Sequence, residues 1–135
     1  MSLVVDTSVV LCIFFAEPHA EWAAARLNEA AEDLCMSTVN LAEALIRLRD
    51  RQPELFPELE TRLLASGIRF VAPDPAQAHL AAEARLRFPL NLGDCFAYAL
   101  ARTEGCPILT LDRDFRAVDC PVVLPDPVVR PGPSG

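Results

Sequence analysis

The chain alternates short apolar segments with longer helical segments, and this alternation limits the folds that it can adopt. Short apolar runs of this kind are typical of strands that are buried on both faces. They lie at 2–5, 34–36, 68–72, 107–112 and 120–125. Helical segments are predicted near 8–15 and at 18–34, 38–50, 53–67, 75–88 and 90–105. The pattern predicts an α/β sandwich around a mainly parallel sheet.

The length favours one domain. With 135 residues, the chain can bury a core of its own, and we place this domain at 1–126. The remaining segment, 127–135, is rich in Pro and Gly and is predicted to be disordered.

Composition excludes several classes of protein. The mean hydropathy is high at +0.24, yet no apolar run approaches the roughly 18 residues of a membrane span. The N-terminal segment lacks the basic start of a signal peptide, so we expect a cytoplasmic protein. The net charge of −7 argues against nucleic-acid binding through bulk charge. Every basic residue is Arg, which excludes a P-loop lysine and a Schiff base.

The cysteines and histidines do not form a recognisable site. No C-x-x-C spacing is present, so zinc is not expected, and no G-x-S-x-G elbow marks a serine nucleophile. We expect reduced, buried thiols and two histidines on helix surfaces. These residues are Cys12, Cys35, Cys95, Cys106, Cys120, His19 and His79.

Asp6 interrupts the apolar segment "LVVDTSVVLCIFF", where an unpaired charge would be costly to bury. It follows the first strand, and Asp112 follows the strand at 107–112 in the same way. The carboxyl ends of parallel strands meet at one edge of a sheet, where ligands bind in open α/β folds. The alternative is that each Asp caps the turn that follows it.

Asp94 opens the most apolar helix and shares a face with Ala97, Tyr98 and Ala101, which must pack inward. Interaction with the helix dipole would explain the position of Asp94 by itself. Its place on an inward face, however, also fits a role in a site.

Glu43 lies at the border of a predicted apolar stripe on its helix, beside Val39 and Ile46. That stripe comprises Val39, Leu41, Ala42, Leu45, Ile46 and Leu48. The alternative for Glu43 is an exposed pair with Arg47, one turn further along the helix.

Together, Asp6, Glu43, Asp94 and Asp112 place four carboxylates near one edge of the predicted sheet. Their repulsion would raise their pKa values unless a cation lay among them. Oxygen ligands select a hard cation, Mg²⁺ or Mn²⁺, rather than zinc. The sequence therefore predicts a divalent-cation site.

Four motifs resemble those of the PIN-domain ribonucleases, particularly the VapC-type toxins of bacterial toxin–antitoxin pairs. They are "VVDTSVV", "STVNLAEAL", "LNLGDCFAYALA" and "ILTLDRDF". The resemblance implies a three-layer α/β/α sandwich with a central, mainly parallel sheet. It also implies an endoribonuclease that uses Mg²⁺, with Mn²⁺ as a substitute.

Carried over by position, the resemblance assigns the catalytic and metal-binding acids to Asp6, Glu43, Asp94 and Asp112. Ser8 and Thr110 match the supporting hydroxyl residues. Asp114 is an alternative or additional ligand, because "DRDF" contains two acids.

A metal-activated water would then attack the phosphodiester and leave 5′-phosphate and 3′-hydroxyl ends. The predicted RNA contacts are Arg85, Arg87, Arg113 and Arg116, which flank the two C-terminal acids in sequence.

Other readings of the strand–Asp start are weaker. A haloacid-dehalogenase-like phosphatase needs an Asp where Ser8 stands, and a response-regulator receiver needs a Lys. The alternative from another class is a PIN-like domain that binds a partner without catalysis.

The resemblance also implies an antitoxin protein as partner. We expect a groove for it between the segments 21–34 and 54–67, with Leu59 and Leu63 exposed there. Trp22 and Leu27 indicate a homodimer face, although packing in the core would also explain them.

Overall fold

The computed structural model describes residues 2–30 and 33–125. Within these residues, five strands form one sheet in the order β3-β2-β1-β4-β5, and every neighbouring pair is parallel. The strands are β1 (Leu3–Val5), β2 (Leu34–Ser37), β3 (Arg69–Val71), β4 (Ile108–Leu109) and β5 (Val122–Val123). The helices are α1 (Thr7–Phe14), α2 (Ala20–Glu29), α3 (Thr38–Arg51), α4 (Phe56–Leu64), α5 (Pro75–Arg87) and α6 (Leu92–Glu104), with a 3-10 turn at Arg113–Ala117. The predicted parallel α/β architecture is confirmed.

The sheet separates two hydrophobic cores, which makes the fold a three-layer sandwich. Val4 of β1 faces the core beneath α5 and α6. Its neighbours Leu3 and Val5 face the other core, beneath α1 to α4. Such burial on both faces explains why the strands contain only apolar residues at their centres.

Capping side chains set several helix boundaries. Ser37 caps α3 by accepting a hydrogen bond from the Val39 N–H at 3.2 Å. Gly105 ends α6 in the left-handed conformation (φ 66°), which favours glycine. Helix α2 begins at Ala20, two residues later than the predicted start at 18. His19, at φ 76°, precedes the helix in a conformation that no right-handed helix continues.

The predicted apolar stripe of α3 does not match the buried face of the helix, which is rotated about the helix axis relative to the prediction. The buried face of this helix consists of Asn40, Ala44 and Leu48, whereas Ile46 is 65% exposed. The polar Asn40 is fully buried because its amide is hydrogen-bonded within the protein. A count of apolar residues could not place an amide on the inner face.

The prediction that Leu59 and Leu63 are exposed in an antitoxin groove is also wrong. Leu59 and Leu63 of α4 are 6% and 1% exposed and belong to the second core. They face the sheet because the other face of α4 is more polar. A partner therefore cannot reach these two side chains in the folded chain. Trp22 and Leu27 are half-buried against the same core, and the homodimer stays a prediction.

The five cysteines carry free thiols, and only Cys120 is more than slightly exposed. His79 lies on the surface of α5 beside Glu83, as expected for a surface histidine. In the part of the chain that the structure describes, no helix is long and apolar enough to cross a membrane. The segment 127–135 and the end of the predicted domain at 126 lie outside the described residues.

Candidate active site

A cavity of about 380 Å³ opens at the carboxyl edge of β1 and β4, bordered by α1, α3 and α6. All four predicted acids line it. The complete lining is Asp6, Thr7, Ser8, Leu11, Glu43, Ile46, Arg47, Asn91, Asp94 and Asp112. Residues separated by more than 100 positions in the chain thus meet at one place because β1 and β4 are adjacent and parallel.

Asp6 is the most buried of the four acids, at 2% exposure. The hydroxyls of Ser8 and Thr110 both donate hydrogen bonds to its Oδ2, at 2.8 and 2.9 Å. Burial raises the pKa of Asp6, while these two hydrogen bonds act in the opposite direction. The hydroxyls therefore partly offset the effect of burial, and the pKa of Asp6 remains raised overall.

Ser8 and Thr110 also hold the loop that follows β4. The N–H of Leu111 donates to the Ser8 hydroxyl at 3.0 Å, and the N–H of Asp112 donates to the Thr110 hydroxyl at 3.0 Å. Each hydroxyl gives its single hydrogen to Asp6 and accepts from a backbone amide. This arrangement connects the position of Asp112 directly to that of Asp6.

Asp94 is held by a capping box at the start of α6. Its N–H donates to the Asn91 side chain at 2.8 Å, and its Oδ2 accepts from the Asn91 N–H at 3.3 Å. Burial, followed by the nearby charges of Asp6 and Asp112, raises the pKa of Asp94 to about 7. The cavity therefore disfavours full ionisation of its acids when no cation is present.

Glu43 is held inside the cavity wall rather than on the surface. Its Oε1 accepts a hydrogen bond from the Asn40 amide at 2.9 Å and lies 3.0 Å from the Thr7 hydroxyl. Glu43 and Arg47 form no ion pair in the described part of the chain, so the surface-pair alternative is wrong.

The structure separates the two acids of "DRDF". Asp112 lines the cavity, and its charge acts on Asp94. Asp114 is exposed and does not line the cavity; its N–H donates to Oδ1 of Asp112 at 2.9 Å. The geometry thus favours Asp112 as the fourth acid and leaves Asp114 a structural role at the start of the 3-10 turn.

The four predicted RNA-binding arginines do not line the cavity. Arg87 forms an ion pair with Asp119 at 3.2 Å, and Arg85, Arg113 and Arg116 are exposed side chains. The arginine that does line the cavity is Arg47, which the sequence indicated only as a partner of Glu43.

Three further residues of the site were not predicted. Asn91 could have been identified, since an Asn three residues before an Asp at a helix start is a capping-box pattern. Asn40 lies three residues before Glu43, a spacing at which helical side chains meet. Thr7 gave no signal of its own, because its contacts with α3 depend on how α1 and α3 pack.

The donor set fits a hydrated hard cation. Within 2–30 and 33–125, no three acidic, thiol or imidazole groups stand close enough to form a ready-made metal cage. Mg²⁺ does not require a cage, since it is held by one or two carboxylates and keeps several waters. Hydrogen bonds hold one carboxylate oxygen of each of these two acids: Oε1 of Glu43 accepts from Asn40, and Oδ2 of Asp94 accepts from Asn91. The carboxylates are thus oriented in a cavity with room for an ion and its waters.

Fold and cavity together define a parallel α/β protein with an acidic site at the carboxyl edge of its sheet. The model of the PIN domain family matches residues 3–120. Ribonuclease VapC of Mycolicibacterium smegmatis is 36% identical over 132 residues, covering 90% of this chain and 99% of that protein. The chain belongs to the PIN-domain family and is a relative of its VapC ribonucleases.

Two solved structures have the same fold at low sequence identity. VapC20 of Mycobacterium tuberculosis, described as a Sarcin-Ricin loop cleaving toxin, has a TM-score of 0.76 at 18% identity. The match covers 88% of this chain and 96% of that one. A toxin–antitoxin complex from Klebsiella pneumoniae has a TM-score of 0.73 at 20% identity, with coverages of 90% and 96%.

Proposed function

We propose that this chain is a divalent-cation-dependent endoribonuclease and the toxin of a toxin–antitoxin pair. The observation that carries the proposal is the meeting of Asp6, Glu43, Asp94 and Asp112 in one cavity of a VapC relative. No basic side chain is hydrogen-bonded to any of these four described acids. They therefore need a nearby positive charge in order to be ionised at the same time.

One or two of these carboxylates would hold Mg²⁺ directly and the others through its bound waters, with Mn²⁺ as a substitute. When bound, the cation supplies an acidified water and neutralises charge on the scissile phosphate. The chain's own residues orient the ligands: Ser8 and Thr110 hold Asp6, and Asn91 holds Asp94. Near neutral pH, the carboxyl of Asp94 retains a proton in part of the molecules until a positive charge enters the cavity.

Arg47 is the arginine that we assign to the RNA phosphate. A chain with a net charge of −7 needs a local cation to hold RNA beside four acids. Of the described arginines, four pair with carboxylates and others lie over aromatic rings. Arg47 does neither and lines the cavity. Leu11 and Ile46 beside it offer an apolar wall for a base or ribose.

The antitoxin is proposed from the relatives, which include a solved toxin–antitoxin complex with this fold. An antitoxin that covers the acidic cavity would block access of RNA to Asp6 and Asp94. Leu59 and Leu63 cannot supply contacts to it, because both side chains are buried.

The test is cleavage of RNA by the purified full chain with Mg²⁺, with Mn²⁺ and with a chelator. We expect cleavage with either ion, and none with chelator. The products should carry 5′-phosphate ends. A chain that binds the product of a neighbouring antitoxin gene but cleaves no RNA with either ion would support the non-catalytic partner-binding alternative instead.

A further inference from the structure

Asn40 is a fully buried amide at the point where α1, α3 and α6 meet. Its Nδ2 donates one hydrogen bond to Oε1 of Glu43 at 2.9 Å and another to the backbone oxygen of Gly93, also at 2.9 Å. Its own backbone oxygen lies 3.0 Å from the Thr7 hydroxyl. One residue therefore contacts a site acid, the helix of a second acid and the helix that follows Asp6.

The orientation of this amide is set by chemistry. Both groups that face Nδ2 are acceptors, a carboxylate and a carbonyl, so turning the amide over would place oxygen against oxygen. Its Oδ1 is buried and has no hydrogen-bond partner in the described part of the chain. The protein tolerates this unsatisfied acceptor, while both N–H groups of the amide are used at the cavity.

Gly93 shows how closely the helices approach at this point. A Cβ on Gly93 would overlap the carboxylate of Glu43, so only glycine lets this side chain lie against α6. Because Gly93 directly precedes Asp94, the contact sets Glu43 beside the helix turn that presents Asp94 to the cavity.

We infer that Asn40 is a positioning residue of the acidic site: its two N–H groups hold Glu43 and the start of α6 at the spacing that the site needs to bind a divalent cation. The inference rests on the proposed function, in which Glu43 and Asp94 are ligands. Partners that orient ligands from outside the coordination shell commonly change metal affinity by about 10- to 100-fold when they are removed.

The test compares Mn²⁺ binding by calorimetry in the wild-type chain and in Asn40→Ala. We expect Asn40→Ala to bind Mn²⁺ about tenfold more weakly or worse. The matched control is Gln77→Ala, which removes another buried amide whose carbonyl lacks a hydrogen-bond partner among the described residues, but which lies on α5 and, unlike Asn40, makes no side-chain hydrogen bond to a site acid there. Gln77→Ala should keep the Mn²⁺ affinity, even if both variants lower the melting temperature.

A second variant covers the case in which Asn40→Ala does not fold. Gly93→Ala keeps Asn40 but pushes the flexible end of Glu43 away from α6, so it should weaken Mn²⁺ binding to a similar extent. A further readout needs no metal: in melting experiments on the metal-free chain, Asn40→Ala should lower the melting temperature less in a Glu43→Ala background than in the wild type.

The outcomes separate this inference from the proposed function. If the wild type binds Mn²⁺ and both Asn40→Ala and Gly93→Ala retain that affinity within twofold, Asn40 has no positioning role and the inference is overturned. Equal losses in Asn40→Ala and Gln77→Ala would also overturn it, since the effect would then be general destabilisation. A wild-type chain that binds neither Mn²⁺ nor Mg²⁺ would overturn the proposed function itself.

Discussion

Asp119 and the acids of the cavity lie in electrostatic surroundings that shift their pKa values in opposite directions. Asp119, next to the last strand, accepts a hydrogen bond from the Tyr98 hydroxyl at 2.7 Å and pairs with Arg87 and Arg102. The hydrogen bond from Tyr98, together with Arg87, holds the pKa of Asp119 below its ordinary value. At the cavity, burial and neighbouring acids raise the pKa of Asp94 instead.

The difference separates an acid that links elements from acids arranged to bind something. Around Asp119 the chain supplies its own positive charges, and the contacts join α5 and α6 to the segment before β5. Around Asp6 and Asp94 it supplies hydroxyls and amides, which orient the carboxylates without neutralising them. Uncompensated buried acids are destabilising, so their presence points to a ligand with positive charge.

The largest expected effect is on catalysis. Asp6→Asn and Asp94→Asn should each lower RNA cleavage by roughly 100-fold or more, because each removes a proposed ligand and loss of even an orienting partner costs about 10- to 100-fold. Cleavage rates with Mg²⁺ at matched protein concentration provide the measurement. Asp119→Asn is the control and should cleave RNA normally while melting at a lower temperature. Full activity in Asp94→Asn would show that Asp94, like Asp119, is not needed for cleavage.

Asp94 and Asp119 should also contribute to the free energy of unfolding with opposite dependences on pH. The folded pKa of Asp94 is raised from 3.8 to about 7. Between these values the folded state holds a proton that the unfolded state has lost, so the Asp94 contribution to stability falls as pH rises from about 4 to 7. For Asp119 the folded pKa is lowered, so its contribution is present above the unfolded pKa and is lost as pH falls through the folded one.

Urea unfolding of the metal-free chain between pH 4.5 and 7.5 tests this contrast. Relative to wild type, Asp94→Asn should gain roughly 2 to 4 kcal/mol of stability at pH 7.5 and little at pH 4.5. Saturating Mn²⁺ should reduce that gain, since the ion stabilises the ionised wild-type site. A gain that does not change with pH would show that Asp94 is not the titrating group.

A smaller difference is expected between the two acids of "TLDRDF". Asp112→Asn should lower Mn²⁺ affinity and cleavage together, by about tenfold. Asp114→Asn should retain most activity, because its contact with Asp112 is made by the backbone N–H rather than by its side chain. The reverse ranking in a calorimetric titration would mean that the loop rearranges when the cation binds.

The smallest expected effect concerns two arginines. Arg47→Ala should raise KM for RNA about threefold to tenfold with little change in kcat, and should reduce the salt dependence of binding by about one unit of slope. Arg87→Ala should leave KM unchanged and slightly lower the melting temperature, because Arg87 pairs with Asp119. Equal effects of the two substitutions on KM would show that RNA also contacts arginines outside the cavity.

Much of the fold and part of the site could be predicted from local sequence. The apolar runs predicted the strands because a short apolar run in an α/β chain must be buried on both faces. Ser37 could be identified as a cap because its hydroxyl acts on the next turn of its own helix. Asp6 and Asp112 could be placed at one edge because parallel strands present their carboxyl ends on the same side.

Which way α3 and α4 face was decided by tertiary structure alone. The rotation of α3 depends on α1 and α6, whose hydroxyl and carbonyl groups make Asn40 a buried residue and turn Ile46 and Arg47 toward the cavity. The burial of Leu59 and Leu63 depends on where α4 lies against the second core. These contacts join residues far apart in the chain. The sequence by itself therefore determined which residue types and elements are present, whereas helix packing decided which side chains meet at the site.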